Sequence, residues 1–168
     1  ALGWATGSLE STGEGIAVDA RYFDIANRSL VGGRRLVGGA GDAKRMGHRM
    51  ADAILEFLTG VPGPFESRIA FISDRGGRFR EVWAYTFDGE VKPITRHNSI
   101  TMSPSWHPSS RSLLFTSFKD RRPMLFGMDL TTGNETRIAS KMGVNVGATY
   151  SPDGRRILLA REENGNTD

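Results

Sequence analysis

Two spacing rules divide the chain. Up to about residue 66, strand-like alternation gives way to a stretch of helical spacing. From residue 67 to 168 only short apolar or alternating runs occur, each bounded by turn residues. In the first part "GWATGSLES" and "GIAVDARYFDI" are predicted strands joined by the Gly-rich turn "TGEG", and Ile16, Val18, Ala20 and Tyr22 share one face by strict alternation. A third strand, "SLVGGRRLV", follows a turn at Asn27. Then "GDAKRMGHRMADAILEFLTG" places Met46, Met50, Ala53, Ile54 and Phe57 at helical spacing, with Arg45, Arg49, Asp52 and Glu56 on the opposite side. Asp42 is the predicted N-cap and Gly60 the terminating glycine, and Pro62 and Pro64 block continuation. The expectation is an amphipathic helix on a small antiparallel sheet.

After the linker "VPGPFES" the predicted strands are "RIAFIS", "EVWAYTF", "VKPIT", "SPSWHP", "SLLFTS", "MLFGMDL", "ETRIAS", "GATYSP" and "RRILLAR". Turn signals separate them, among them Asp88-Gly89, Thr132-Gly133 and Asp153-Gly154. This part matches itself at a shift of about 44 residues. "SWHPSSRSLLFTS" from Ser105 falls on "TYSPDGRRILLAR" from Thr149, and "IAFIS" from Ile69 on "LLFTS" from Leu113. Val82 meets Leu125 at a shift one residue shorter, so a loop absorbs the difference. A unit of four short strands recurring every ~40–45 residues is the pattern of β-propeller blades, which bury their faces only against one another. Trp106 and Tyr150, at the head of the repeated phrase, are expected to pack between blades. The fold class is therefore an α+β N-terminal unit, residues 1–66, followed by all-β propeller blades, residues 67–168, in an incomplete propeller. Closed propellers have typically four to eight blades. The sequence is accordingly read as part of a longer protein, whose open blade edges leave it able to self-associate.

Composition narrows the function more than it defines it. Twenty-one glycines among 168 residues suit a turn-rich β protein. Lys and Arg exceed Asp and Glu by a net charge of only +3, and although basic residues gather somewhat between Arg21 and Arg49, nucleic acid is not the expected partner. There is no cysteine, which excludes disulfides and thiolate metal sites. No apolar run reaches the ~20 residues of a membrane helix, so the chain is not expected to span a membrane.

Chemical motifs are also scarce. "LVGGAGDAK" precedes a helix, but Ala43 stands where a phosphate loop needs glycine, so an ordinary Gly-rich turn is expected. His48 has Asp52, not a second ligand, one turn on, and His97 and His107 lack a suitably spaced carboxylate. No Gly-x-Ser-x-Gly elbow occurs. Glu81, Asp129 and Asp153 read as turn and rim residues. No cofactor, metal or catalytic residue is expected.

The order "YFDIANRSLVGGRRL", "AKRMGHRMADAILEFLTGVPGPFESRIAFISDRGG" and then blades with "SPSWHPSSRSLLFTS" and "TYSPDGRRILLAR" resembles the TolB family of the Tol–Pal envelope system. The helix ending in "LTG", the short Pro/Gly linker and "RIAFIS" carry most of the resemblance, which extends over essentially the whole chain. It departs at "WHPSSR", which replaces the Ser-Pro-Asp-Gly turn of the other copy. The resemblance implies a periplasmic, non-enzymatic scaffold with an N-terminal α/β domain and a propeller. Its partners would be other Tol proteins and the peptidoglycan-associated lipoprotein Pal, docked at the mouth of the propeller channel. The innermost strands and the turns leading into them are then "HNSITM" and "GVNVG", and the candidate partner-binding residues are Asn98, Thr101, Met102 and Asn145. The competing readings are the substrate-gating propeller of a prolyl-oligopeptidase-like serine peptidase, and a generic interaction propeller.

Overall fold

The structure, a computed structural model, describes residues 3–13, 15–138, 145–163 and 166–167, with side chains for 3–13, 15–138 and 147–160. It divides into two units, 1–67 and 68–168, each taken by itself below.

In the first unit the alternating runs form β1 (Gly3–Thr12), β2 (Gly15–Asp24) and β3 (Ser29–Gly38), an antiparallel meander in that order. The turn after β2 is fixed by Asp24, whose carboxylate accepts from the N–H groups of Ala26 (2.8 Å) and Asn27 (3.2 Å). These bonds, with a third from the Asn27 side chain, hold the Asp24 carboxyl below its usual range. A 3-10 turn (Ala40–Asp42) leads into α1 (Ala43–Thr59). The predicted apolar face is the one buried: Ala53 joins Ala20 and Tyr22, with Met50, Ile54 and Phe57 packed around them. Tyr22 stacks on Phe57 at 5.7 Å and donates its hydroxyl to the Met50 sulfur at 2.9 Å, and burial raises its phenol above the ordinary value.

Asp42 does not cap the helix. The 3-10 turn puts it in the right-handed helical conformation, and its carboxylate turns back to the Gly39 N–H (3.1 Å) and out to Arg45 (2.8 Å). Gly60 ends the helix in the left-handed conformation (φ 74°), its N–H on the Glu56 carbonyl. Asp52, read from the sequence as a plain polar-face residue, accepts from the N–H groups of Phe65 (2.9 Å) and Glu66 (3.1 Å) and so ties the end of the linker to the helix.

Among the described residues the second unit has three antiparallel sheets. They are β4–β6 (Arg68–Ser73, Glu81–Thr86, Val91–Pro93), β7–β10 (Thr101–Trp106, Ser112–Ser117, Met124–Asp129, Glu135–Arg137) and β11–β13 (Asn145–Tyr150, Ile157–Glu163, Asn166–Thr167). The sequence repeat is the structural one: β4, β6 and β7 recur 44 residues later as β8, β10 and β11. Even the irregularities recur. The β7–β8 ladder slips between Met102 and Ser105, and the β11–β12 ladder between Val146 and Thr149. Ser103 (φ 53°) sits at the first slip and Gly147 (φ 65°) at the second, both left-handed.

One cluster fills the space between the first two sheets, with Val82 facing Leu113, Phe115, Met124 and Phe126, and Trp106 at its edge. A second lies between the next two, with Leu114 and Leu125 against Ala148, Tyr150, Ile157 and Leu159. Each repeated aromatic thus packs between sheets. β8 is buried on both faces, which is why Leu113, Leu114 and Phe115 stand consecutively with no polar alternation.

The departure at "WHPSSR" leaves the turn geometry intact. Ser110 (φ 56°) occupies the left-handed position that Gly154 (φ 72°) holds one repeat later, and the Ser110 N–H reaches the His107 carbonyl as the Gly154 N–H reaches that of Ser151. Only the second copy uses the residue that adopts this conformation without strain. Ser110→Gly is expected to leave stability unchanged or raise it by up to about 1 kcal/mol, whereas Gly154→Ala should lower it by about 1–3 kcal/mol. The alanine Cβ would also collide with the His107 ring. Urea unfolding of the two variants checks the asymmetry; equal effects would remove it.

Candidate partner-binding face

The chain reverses around β7 and β11, the first strands of their sheets, which lie side by side. Thr101 and Asn145 open these two strands one repeat apart, and Met102 follows Thr101. Asn98 lies in the connection before β7. The structure therefore brings the predicted residues to the same end of neighbouring strands, but not in the same state. Asn98 is exposed and left-handed (φ 52°), a conformation asparagine tolerates. Met102 is half-buried. Thr101 is 1% exposed, its hydroxyl (2.7 Å) and its N–H (2.8 Å) both donating to the Arg80 carbonyl. Asn145 is described through its backbone, and Gly143 and Val144 of the predicted turn lie outside the described residues.

Two side-chain assemblies beneath this end were not legible in the sequence. In the first, the Glu81 carboxylate accepts from the buried Thr95 hydroxyl (2.5 Å) with one oxygen and from the Asn98 N–H (2.8 Å) with the other, and Thr95 accepts from the Val82 N–H (2.9 Å). Glu81 thereby fixes the backbone that presents Asn98.

In the second, His97 lies between Ser117 and Glu135, with Nδ1 2.8 Å from the Ser117 hydroxyl and Nε2 2.6 Å from the Glu135 carboxylate, which also pairs with Lys119. A carboxylate only accepts, so Nε2 carries a hydrogen, and Nδ1 lies within hydrogen-bond reach of the Ser117 hydroxyl. A serine, histidine and acid in line resemble a hydrolytic triad, but Ser117 is 0% exposed, so no substrate reaches its oxygen. The chemistry it does is to pin the β6–β7 connection to β8 and β10. No repeated signal marks it, since residue 141, one repeat after His97, is Lys. His97→Phe, which keeps a ring against Phe115 and Phe126, is expected to lower stability by about 1–3 kcal/mol. Ser117→Ala should add little in that background, and a double-mutant cycle measures this. Full additivity would mean the two side chains do not act together.

Asp129 and Asp153 are turn residues. Asp129 accepts from the N–H groups of Thr131 and Thr132, and Asp153 from the Ser151 hydroxyl and the Arg155 N–H; both carboxyls sit below their usual range for that reason. Among the described residues no three His, Asp or Glu side chains converge as a metal site would require, and no helix is long and apolar enough to cross a membrane.

The family model described as the TolB beta propeller domain matches residues 55–168. The chain belongs to the TolB family. Of its curated relatives, the Tol-Pal system protein TolB of Desulfosudis oleivorans is 36% identical over 156 residues, which are 92% of this chain and 35% of that protein. The protein TolB homolog of Chlorobium chlorochromatii is 34% identical over 139 residues, 82% of this chain and 31% of the relative. The crystal structure of TolB from Acinetobacter baumannii superposes with a TM-score of 0.77 at 29% identity, covering 98% of this chain and 42% of that one. This TolB-family chain thus spans about a third of the length of those curated relatives. The four-stranded antiparallel sheet β7–β10 and the sheets beside it are propeller-type sheets, as the family model describes.

Proposed function

We propose that the chain is part of a non-enzymatic, periplasmic scaffold of the Tol–Pal cell-envelope system, one that docks the lipoprotein Pal on its propeller and so supports outer-membrane integrity and cell division. The observation that carries this reading is the family match over residues 55–168 together with the exposed, fixed Asn98 before β7. Asn98 is held there by Glu81, Met102 follows in β7, and Asn145 opens β11 one repeat later; small polar and apolar residues of this kind suit a protein ligand. Thr101 acts from below by fixing the backbone of β7. Other Tol proteins are the further partners of such a scaffold.

Calorimetric titration of the intact protein with the soluble domain of its Pal tests the reading. Saturable binding that Asn98→Asp or Asn145→Arg weakens about tenfold or more is expected, since either places a charge in the contact. Absence of binding at high concentration would remove the proposal.

Taken alone, the chain leaves Ile69 (61%), Tyr85 (41%) and Leu158 (74%) exposed on sheet faces that a neighbouring blade covers in a closed propeller. The isolated chain is therefore expected to self-associate. Sedimentation velocity should show mass rising with concentration, and a monomer at all concentrations would contradict it.

A further inference from the structure

The two ends of the second unit differ in charge. Where β7 begins, the N–H of Thr101 reaches the Arg80 carbonyl (2.8 Å) and that of Phe118 the Ile100 carbonyl (2.9 Å), so the β4–β5, β6–β7 and β8–β9 connections meet. Residues 74–80, 94–100 and 118–123 of these connections carry seven Lys and Arg against two Asp and Glu. At the opposite end, residues 87–90, 107–111, 130–134 and 151–156 carry three against three. The excess at the first end is larger than the net charge of +3 on the whole chain, so it reflects where the charges are placed and not composition.

The basic character recurs with the repeat: Lys119 and Arg122 of the β8–β9 connection stand 44 residues after Arg75 and Arg78 of the β4–β5 connection. The earlier pair borders a sheet face that a neighbouring blade covers in the closed propeller and is set aside. The β8–β9 connection is placed differently, because its sheet already has a sheet packed on each side, through Val82 on one and Ala148 on the other. Arg121 and Arg122 are exposed at the end of that sheet, and neither has a side-chain hydrogen bond or ion pair among the described residues. Lys119 is paired with Glu135, and Asp120 is the one carboxylate within the connection. Arg96, exposed and likewise unpaired among the described residues, lies two residues before Asn98.

We propose that Arg96, Arg121 and Arg122 form a basic rim that steers a protein partner with an acidic face onto this end of the propeller. The inference rests on the docking reading above and adds the charge that the lipoprotein carries on its docking face. Exposed charges attract over about a Debye length, ~8 Å at physiological salt, yet contribute little once paired in water. The effect of the rim therefore falls on the rate of association. Nucleic acid would need a continuous basic stripe, and an anionic bilayer a cluster of roughly four to eight basic residues, whereas no more than two stand in tandem here.

The test is stopped-flow association of the intact protein with the soluble domain of its Pal at several salt concentrations. In the Arg121→Gln/Arg122→Gln variant the association rate should fall about threefold or more at low salt and depend less on salt, while the dissociation rate changes by less than about twofold. Arg155→Gln/Arg156→Gln removes the same charge from the β11–β12 connection at the opposite end and should leave both rates unchanged. Equal slowing in the two variants would reduce the effect to net charge and overturn the proposal. So would an unchanged association rate in the first variant, or a loss that falls on dissociation alone. Titration with an Asp/Gly peptide, followed by amide shifts, separates the rim from the docking reading. Salt-sensitive shifts at 96 and 118–122 but not at 153–156, in a protein that fails to bind the Pal domain, would uphold the acidic recognition and remove Pal as the partner. Pal binding with association indifferent to Arg121 and Arg122 would keep the docking reading and discard the rim, and neither binding nor shifts would remove both.

Discussion

Phe115→Ala is expected to destabilise the propeller unit by about 3–5 kcal/mol. The ring is 0% exposed and lies in the middle of the cluster between the first two sheets, stacked on Phe126 at 6.0 Å and tilted against His97 at 5.5 Å. Truncation removes the burial of the ring and leaves a cavity whose walls, Leu113, Met124 and Val82, belong to strands held by their ladders and unable to close over it. Leu114, one residue earlier, points the other way into the cluster with Ala148 and Tyr150, so its truncation should add to that of Phe115 and not overlap with it. Urea unfolding of the intact protein followed by tryptophan fluorescence measures the loss. A change below about 1 kcal/mol would mean that the space between these sheets is not a packed core.

Thr101→Arg is expected to do more than weaken docking: it should prevent the unit from folding, at a cost of at least about 4–5 kcal/mol. Thr101 was a candidate for partner contact on sequence grounds. At 1% exposure, with side chain and N–H both on the Arg80 carbonyl, it has no room for a guanidinium. Thr101→Val keeps the shape and the N–H bond, and should cost only about 1 kcal/mol. Circular dichroism and the unfolding midpoint separate the cases. A folded Thr101→Arg protein with near-native stability would show that this residue lies on the surface and not beneath it.

The repeat made most of this fold legible. Because blades bury their faces on one another, the same phrase had to be written twice, and the strands, turns and inter-sheet aromatics at Trp106 and Tyr150 followed from it. The amphipathic stripe of Met46, Ala53 and Phe57 was equally plain, since periodicity reports directly on what is buried. What could not be read were interactions between residues distant in sequence and without pattern. His97 meets Ser117 and Glu135 across 20 and 38 residues, and Asp52 reaches back from the helix to the linker. Thr95, Thr101, Thr116 and Ser117 are buried polar residues, and a hydroxyl's burial depends on an acceptor that only the folded backbone supplies. The slip in the β7 ladder between Met102 and Ser105 also breaks the alternation from which exposure at that strand would be inferred.

Glu81 and His97 give the candidate face its rigidity. Each anchors the connection before β7 from a different side, one through the Asn98 backbone and one through the imidazole. A partner meeting Asn98 and the start of β7 therefore meets preorganised groups, with little loop ordering left to oppose binding.

The central claim, that a Tol–Pal lipoprotein docks on the end of the propeller where β7 and β11 begin, is tested most directly by amide chemical-shift mapping of the intact protein during titration with the soluble domain of its Pal. The account predicts saturable shifts at Asn98, Met102 and Asn145, with the amides of β1 and of α1 unmoved. Saturable shifts confined to the first unit or to the β7–β8 and β11–β12 connections at the opposite end of the sheets, or no shifts at all, would contradict it.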